Sequence, residues 1–153
     1  MSSIAERLAE LSITLPDAAA PAANYVPFLR SGNLLFISGQ LPFDQGFLLH
    51  NGRLGQDVSV EEGYQAARQC AINILAQIKA AGALEKVRRV VRLGGFVACT
   101  PDFTDQPLVI NGASDLFVAV FGEAGRHARA AVGAPSLPRG VSVEIEAVVE
   151  VGA

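Results

Sequence analysis

Near the end of the chain one arginine, Arg129, stands in a small, apolar segment, His127-Ala128-Arg129-Ala130-Ala131-Val132. It comes just ahead of a stretch that carries two carboxylates, Glu144 and Glu146. A guanidinium presents paired N–H donors that match the two oxygens of a carboxylate, and it stays charged at every relevant pH, so Arg129 is a candidate for gripping a small anionic substrate. Glu144 offers the complementary chemistry. In Val141-Ser142-Val143-Glu144-Ile145-Glu146-Ala147-Val148-Val149 it lies off the apolar row of Val141, Val143, Ile145, Ala147 and Val149, so its carboxylate can face a cleft and move a proton to or from water. The plainer alternatives are an interface arginine paired with an acid, and a glutamate on a solvated face. His127 could titrate near neutral pH, although a lone histidine is more often a hydrogen-bonded structural residue.

Those residues need a scaffold, and 153 residues, half of them apolar, suffice for one domain with a continuous core. Cys70 and Cys99 show no CxxC or Cys/His spacing, which predicts two free thiols rather than a disulfide or a metal site, and no cofactor is indicated. The longest apolar runs are broken by charges or glycines short of a bilayer span, and the first fifteen residues carry charges rather than a signal-peptide core. A cytoplasmic protein with no membrane partner is expected. A net charge of −3 opposes the basic footprint that nucleic-acid binding requires.

Ile4, Leu8 and Leu11 recur at helical spacing and predict a short accessory helix, followed by a proline-bearing connector over 16–21. Residues 1–23 therefore read as helix and linker, and 24–153 as the domain. Two paired strands are predicted over 25–30 and 34–38, joined by Ser31-Gly32-Asn33, which is hairpin chemistry. Residues 44–55 read as a loop with a short edge strand at Phe47-Leu48-Leu49. Ser59-Val60-Glu61-Glu62 is a capping box that should start a helix, with Gly82 as its left-handed stop. A long strand over 87–98 follows, with a bulge expected at Gly94-Gly95. The second helix has Pro107 in its first turn, Leu108, Leu116, Val120 and Phe121 for burial, and Gly122 at its end. Strands over 128–132 and 141–151 complete a ββαβαββ order, an α+β fold with two main helices on one face of a mixed sheet. The other face needs a partner, which predicts an oligomer.

Tyr25 ahead of Gly32-Asn33, the run Leu35-Phe36-Ile37-Ser38-Gly39-Gln40-Leu41-Pro42, Arg129 followed nine residues later by Leu137-Pro138, and the Glu144-Ile145-Glu146 strand together resemble the Rid family. These YjgF-like proteins are also labelled L-PSP endoribonucleases. The resemblance spans residues 24–151, strongest at both ends. The N-terminal extension and Asn111-Gly112-Ala113-Ser114-Asp115-Leu116-Phe117 look more like a longer branch of the family than like its compact deaminases. It implies a chorismate-mutase-like fold, a homotrimer around a central barrel, and sites in clefts between subunits. It also implies cofactor-free hydrolysis of reactive 2-imino and enamino acids, such as 2-aminoacrylate, to 2-keto acids and ammonia. Carried over by position, Arg129 would bind the substrate carboxylate and Glu144 would hold the attacking water. Tyr25 would contact the ligand across a subunit boundary, Ser38 and Gly39 would present backbone to it, and Asn111 would lie nearby. Ala131 stands where many members carry cysteine, and its main-chain amide can serve the ligand; His127 stands where many carry proline. Two other readings stay open: a trimer that binds small carboxylates or keto acids without turnover, and an RNA-cleaving protein, for which Arg88, Arg89 and Arg92 alone supply little basic surface.

Overall fold

The computed structural model describes residues 1–21 and 23–153; Ala22, within the expected linker, lies outside the described residues. The order is α1 (Ile4–Glu10), β1 (Phe28–Ser31), β2 (Leu34–Gln40), β3 (Phe43–Asp44), β4 (Phe47–Leu48), α2 (Val60–Ala80), β5 (Val87–Ala98), α3 (Gln106–Phe121), β6 (Ala128–Ala134) and β7 (Val143–Val151). One mixed sheet runs β1-β2-β7-β5-β6, and β3 with β4 forms a separate small hairpin. Within that sheet β5 and β6 pair in parallel, as a strand-helix-strand crossover through α3 demands.

Local chemistry sets the element ends. Ser31 opposes Leu34 across a two-residue turn, and Gly32 at φ 60° supplies the left-handed residue that such a turn needs. The Ser59 amide donates to the Glu62 carboxylate and the Glu62 amide to the Ser59 hydroxyl, so the first turn of α2 is capped from both sides. The same device opens α1, between Ser3 and Glu6. Gly122 at φ 64° ends α3.

Both long helices pack on one face of the sheet. Ala67, Cys70, Ala71, Ile74 and Ile78 of α2, with Val109, Ile110, Ala113 and Phe117 of α3, are fully buried against Leu93, Val97, Val143, Ile145 and Val149. Each large apolar side chain removed from water in this way contributes about 1.5–3 kcal/mol. The two helices meet at Gly112, where any Cβ would strike the Tyr64 carbonyl. Residues 106–125 are long and apolar enough to cross a membrane by length and composition, and here half of that stretch is buried inside the domain. The N-terminal segment packs on the same body: the amides of Ile4 and Ala5 donate to the Glu85 carboxylate, and Leu8 and Ile13 join the core.

The other sheet face is open. Leu29, Phe36 and Val132 project from it, each exposed, interleaved with Glu144, Glu146, Glu150, Arg89 and Arg92.

Three expectations need correction. The first strand begins at Phe28 rather than Tyr25, because residues 25–26 bend over β2 and the Ser38 hydroxyl donates to the Val26 carbonyl at 2.7 Å. Gly94 and Gly95 are not bulged; they pair regularly with Glu146 and Ile145. Their lack of side chains instead makes room for Glu146 above and Ile110 below, whose atoms lie within 2.9 Å and 2.7 Å of where a Cβ would stand. The extra residues of β5 are Arg88 and Val91, where its register on β7 shifts. Leu108 is half exposed, and Val109 and Ile110 take the core position assigned to it.

Candidate functional site

The structure sorts the singled-out residues into two groups. The first gathers around Glu144 on β7. Ile37 opposes Ala147 and Gln40 opposes Ile145, so Ser38 and Gly39 together face Glu146 alone: a β-bulge inside the Ser-Gly-Gln run. Bulges re-aim the strand beside them. Here a Cβ on Gly39 would stand 3.0 Å from Glu144 Cδ and 3.1 Å from its Oε2, so the carboxylate lies across bare backbone. Half-buried, Glu144 has its pKa raised above the ordinary glutamate value, by burial first and by the neighbouring Glu146 second. Glu146 lies 3.5 Å from the Arg92 guanidinium, while Glu144 forms no ion pair among the described residues.

Ser38 spends its hydroxyl proton on the Val26 carbonyl, which pins the half-exposed Tyr25 at the mouth of a cavity of about 460 Å³. That cavity is lined by Tyr25, Gly39, Gln40, Phe43, Asn73 and Arg139, with the connector residues 16–21 along one side. Arg139 was not singled out from sequence. It sits at φ 62° in the turn before β7, with its guanidinium 5.3 Å from the Phe43 ring centre.

The second group gathers around Arg129 on β6, the edge strand. Arg129 pairs with Leu93 of the buried face, so its side chain leaves the sheet on the helix side. Its Nη1 donates to Ser114 Oγ at 3.0 Å and its Nη2 to the Pro107 carbonyl at 3.3 Å. Both acceptors are neutral, and Arg129 forms no ion pair among the described residues. Pro107, Asn111 and Ser114 follow at i, i+4 and i+7 of α3, so half-buried Asn111 shares their helical face. Ala131, two residues along β6, leaves on the same side as Arg129 and is half-buried. Ser114 escapes a reading of motifs, though its helical spacing from Pro107 and Asn111 was legible. His127 is tied at both ring nitrogens, Nδ1 to the Gly125 carbonyl at 2.6 Å and Nε2 to Ser114 Oγ at 2.8 Å.

The two groups do not meet within one chain. Strand β5 separates β7 from β6, a gap of about 10 Å at ordinary strand spacing, and Glu144 and Arg129 leave the sheet on opposite faces.

The family model described as "YjgF/chorismate_mutase-like, putative endoribonuclease" matches residues 5–149. The chain belongs to the YjgF/Rid family. Protein TCP17 of Trypanosoma cruzi is 51% identical over 149 residues, covering 96% of this chain and 93% of its own length. A 2-iminobutanoate/2-iminopropanoate deaminase of Salmonella typhimurium is 33% identical over 140 residues, covering 90% of this chain and 97% of that enzyme. Among solved structures, a protein of unknown function from Agrobacterium tumefaciens superposes with a TM-score of 0.91 at 58% identity, over 97% of this chain and 92% of that one. The YjgF/chorismate-mutase-like mixed fold is therefore shown, and the deaminase relatives span nearly their whole length on this Rid chain. Ala131 and His127, the two departures noted in the sequence resemblance, both lie on the Arg129 side.

Proposed function

We propose that this Rid protein hydrolyses short, reactive 2-imino and enamino acids to 2-keto acids and ammonia, at sites formed between the subunits of a homotrimer. The observation that carries the reading is Arg129: a guanidinium steered by two neutral acceptors, and without an ion-pair partner among the described residues, is a ready partner for a substrate carboxylate. The split between the two groups and the uncovered sheet face with Leu29, Phe36 and Val132 support the assembly, because a neighbouring copy can bring its Arg129 edge to this copy's Glu144. The name carried by the Salmonella relative supports the substrate class.

In the proposed reaction Arg129 fixes the planar substrate through its carboxylate, which places the C=N carbon within reach of a water on Glu144. Glu144 accepts a proton as the water oxygen bonds to that carbon, and the C=N electrons move to nitrogen, which takes up a proton from solvent, balanced by the hydroxyl proton released to solvent at the end. Glu144 then returns its proton to the amine of the tetrahedral adduct. The C–N bond breaks, its electron pair leaves with ammonia, and the hydroxyl becomes the keto oxygen as it loses its proton. A carboxylate whose pKa is raised by burial is a stronger base for this exchange than an ordinary one.

The test is ammonia release from freshly generated 2-iminobutanoate, measured above the spontaneous rate, alongside sedimentation equilibrium. Accelerated release by a trimer is expected. A stable monomer at micromolar concentration would remove the shared site. Keto-acid binding with no ammonia release from any short imino acid would make the protein a carboxylate-binding trimer instead.

A further inference from the structure

The hydrogen bonds behind Arg129 form a directed chain. The Gly125 carbonyl can only accept, so the His127 nitrogen 2.6 Å away, Nδ1, carries the ring hydrogen. In the neutral imidazole Nε2 is then an acceptor, and the Ser114 hydroxyl, 2.8 Å off, must donate to it. With its hydrogen so committed, the serine oxygen turns its lone pairs to Arg129 Nη1 at 3.0 Å. Phe117 meets the imidazole edge-on, with ring centres 6.3 Å apart, and limits its rotation.

The surroundings keep His127 neutral. Burial pushes its pKa below the ordinary histidine value and Arg129 pushes the same way, against an upward pull from Gly125. Of the other charged groups nearby, Glu123 and Arg126 on the adjoining turn pair with each other at 3.0 Å. On α3, Asp115 is taken by the Tyr64 hydroxyl at 2.7 Å.

We infer that Ser114 is the positioning residue that aims the Arg129 guanidinium at the substrate carboxylate, with His127 fixing the direction of the serine hydroxyl. The inference rests on the assignment of Arg129 as the carboxylate binder.

Four variants and three readouts test it. Ser114→Ala should raise KM for 2-iminobutanoate about tenfold and leave kcat within about twofold, since an interaction with the ground-state carboxylate is weakened uniformly. Ser114→Thr, which keeps the hydroxyl, should restore KM. His127→Gln, whose amide oxygen can stand in for Nε2, should stay near wild type, whereas His127→Leu should behave like Ser114→Ala. The second readout needs no turnover. Imidazole nitrogen NMR should show the Nδ1–H form, and saturating 2-oxobutanoate should raise the His127 pKa, because the bound carboxylate offsets the Arg129 charge. If imine hydrolysis is absent but Ser114→Ala still weakens 2-oxobutanoate binding in calorimetry, the deaminase reading falls and the positioning role stands. Unchanged KM and unchanged keto-acid affinity in Ser114→Ala, or an Nε2–H imidazole, would overturn the positioning role and leave the deaminase reading intact. A protein that neither turns over an imino acid nor binds a keto acid overturns both.

Discussion

The edge of the sheet at Arg129 and its middle at Glu144 solve opposite problems. On β6 a permanent charge is held in place by neutral oxygens from α3, and it forms no ion pair among the described residues. On β7 a carboxylate is pressed over the bare backbone of Gly39 and partly stripped of water, so the environment raises its basicity. One region fixes geometry around an unchanging charge; the other tunes a charge that, in the proposed reaction, comes and goes. Binding a carboxylate needs the first, and moving a proton needs the second. A fold that displays them on opposite faces, two strands apart, could unite them only between copies, and in the proposed trimer the exposed Leu29, Phe36 and Val132 would give the contact an apolar surface to bury.

The contrast is broken most severely at Glu144. Glu144→Gln keeps the shape and removes the base, so imine hydrolysis should slow by about 10²–10⁴-fold while 2-oxobutanoate affinity, read by calorimetry, stays within about twofold. Arg129→Ala breaks the other half. It should cost about 10–10²-fold in kcat/KM through loss of a charge-assisted pair worth about 1.5–3 kcal/mol, and keto-acid affinity should fall with it. Arg129→Lys should rescue little, because an ammonium lacks the fork. If the two variants lost affinity and turnover in the same proportion, the division of labour would be wrong.

Gly39→Ala acts on one region alone. Its methyl group would need space now within about 3.0 Å of Glu144 Cδ, so the flexible carboxylate must move aside while the strand keeps its pairing. Turnover should drop about tenfold, with a melting temperature near wild type and Arg129-dependent keto-acid binding unchanged. Wild-type kcat in Gly39→Ala would show that the position of Glu144 over the bulge does not matter.

Legibility followed the range of the forces involved. Helix α2 could be read from Ser59, Glu62 and Gly82 because caps are local, and β7 from the alternation of Val143, Ile145, Ala147 and Val149 because burial on one face imposes a period of two. The bulge at Ser38 and Gly39 was not legible, since it arises from register against β7, a partner more than a hundred residues away. Gly94 and Gly95 misled for the same reason: a glycine pair signals close approach, and only the packed structure says that Glu146 and Ile110 are what approach. Leu108, Val109 and Ile110 are consecutive and all apolar, so the pattern could not tell which of them faces the core. At the site, the family resemblance singled out Arg129, Glu144 and Gly39 as candidates. The hydroxyl behind Arg129 went unseen because Ser114 belongs to no motif and works only through the neighbour that folding supplies.

The smallest expected effect is the most discriminating. Glu146 is two residues from Glu144 on the same open face, exposed and within 3.5 Å of Arg92. Both carboxylates lie off the apolar row and the family resemblance alone singles out Glu144, so Glu146→Gln is the control for Glu144→Gln. An exposed ion pair contributes little, about 0–1 kcal/mol, so folding and plateau kcat should stay within about twofold of wild type. The pH profile should nevertheless move. Glu144 must be deprotonated to accept a proton, so activity falls as pH drops through its pKa, and that acid limb should lie above the range of an ordinary glutamate. Burial is the larger cause of the elevation and survives the substitution; the charge of Glu146 is the smaller cause and is removed by it. Without Glu146, Arg92 also loses its acidic partner, which favours ionised Glu144 further. The acid limb of Glu146→Gln should therefore shift to lower pH at unchanged plateau. A shift to higher pH, or a lost plateau, would mean that Glu146 rather than Glu144 handles the proton.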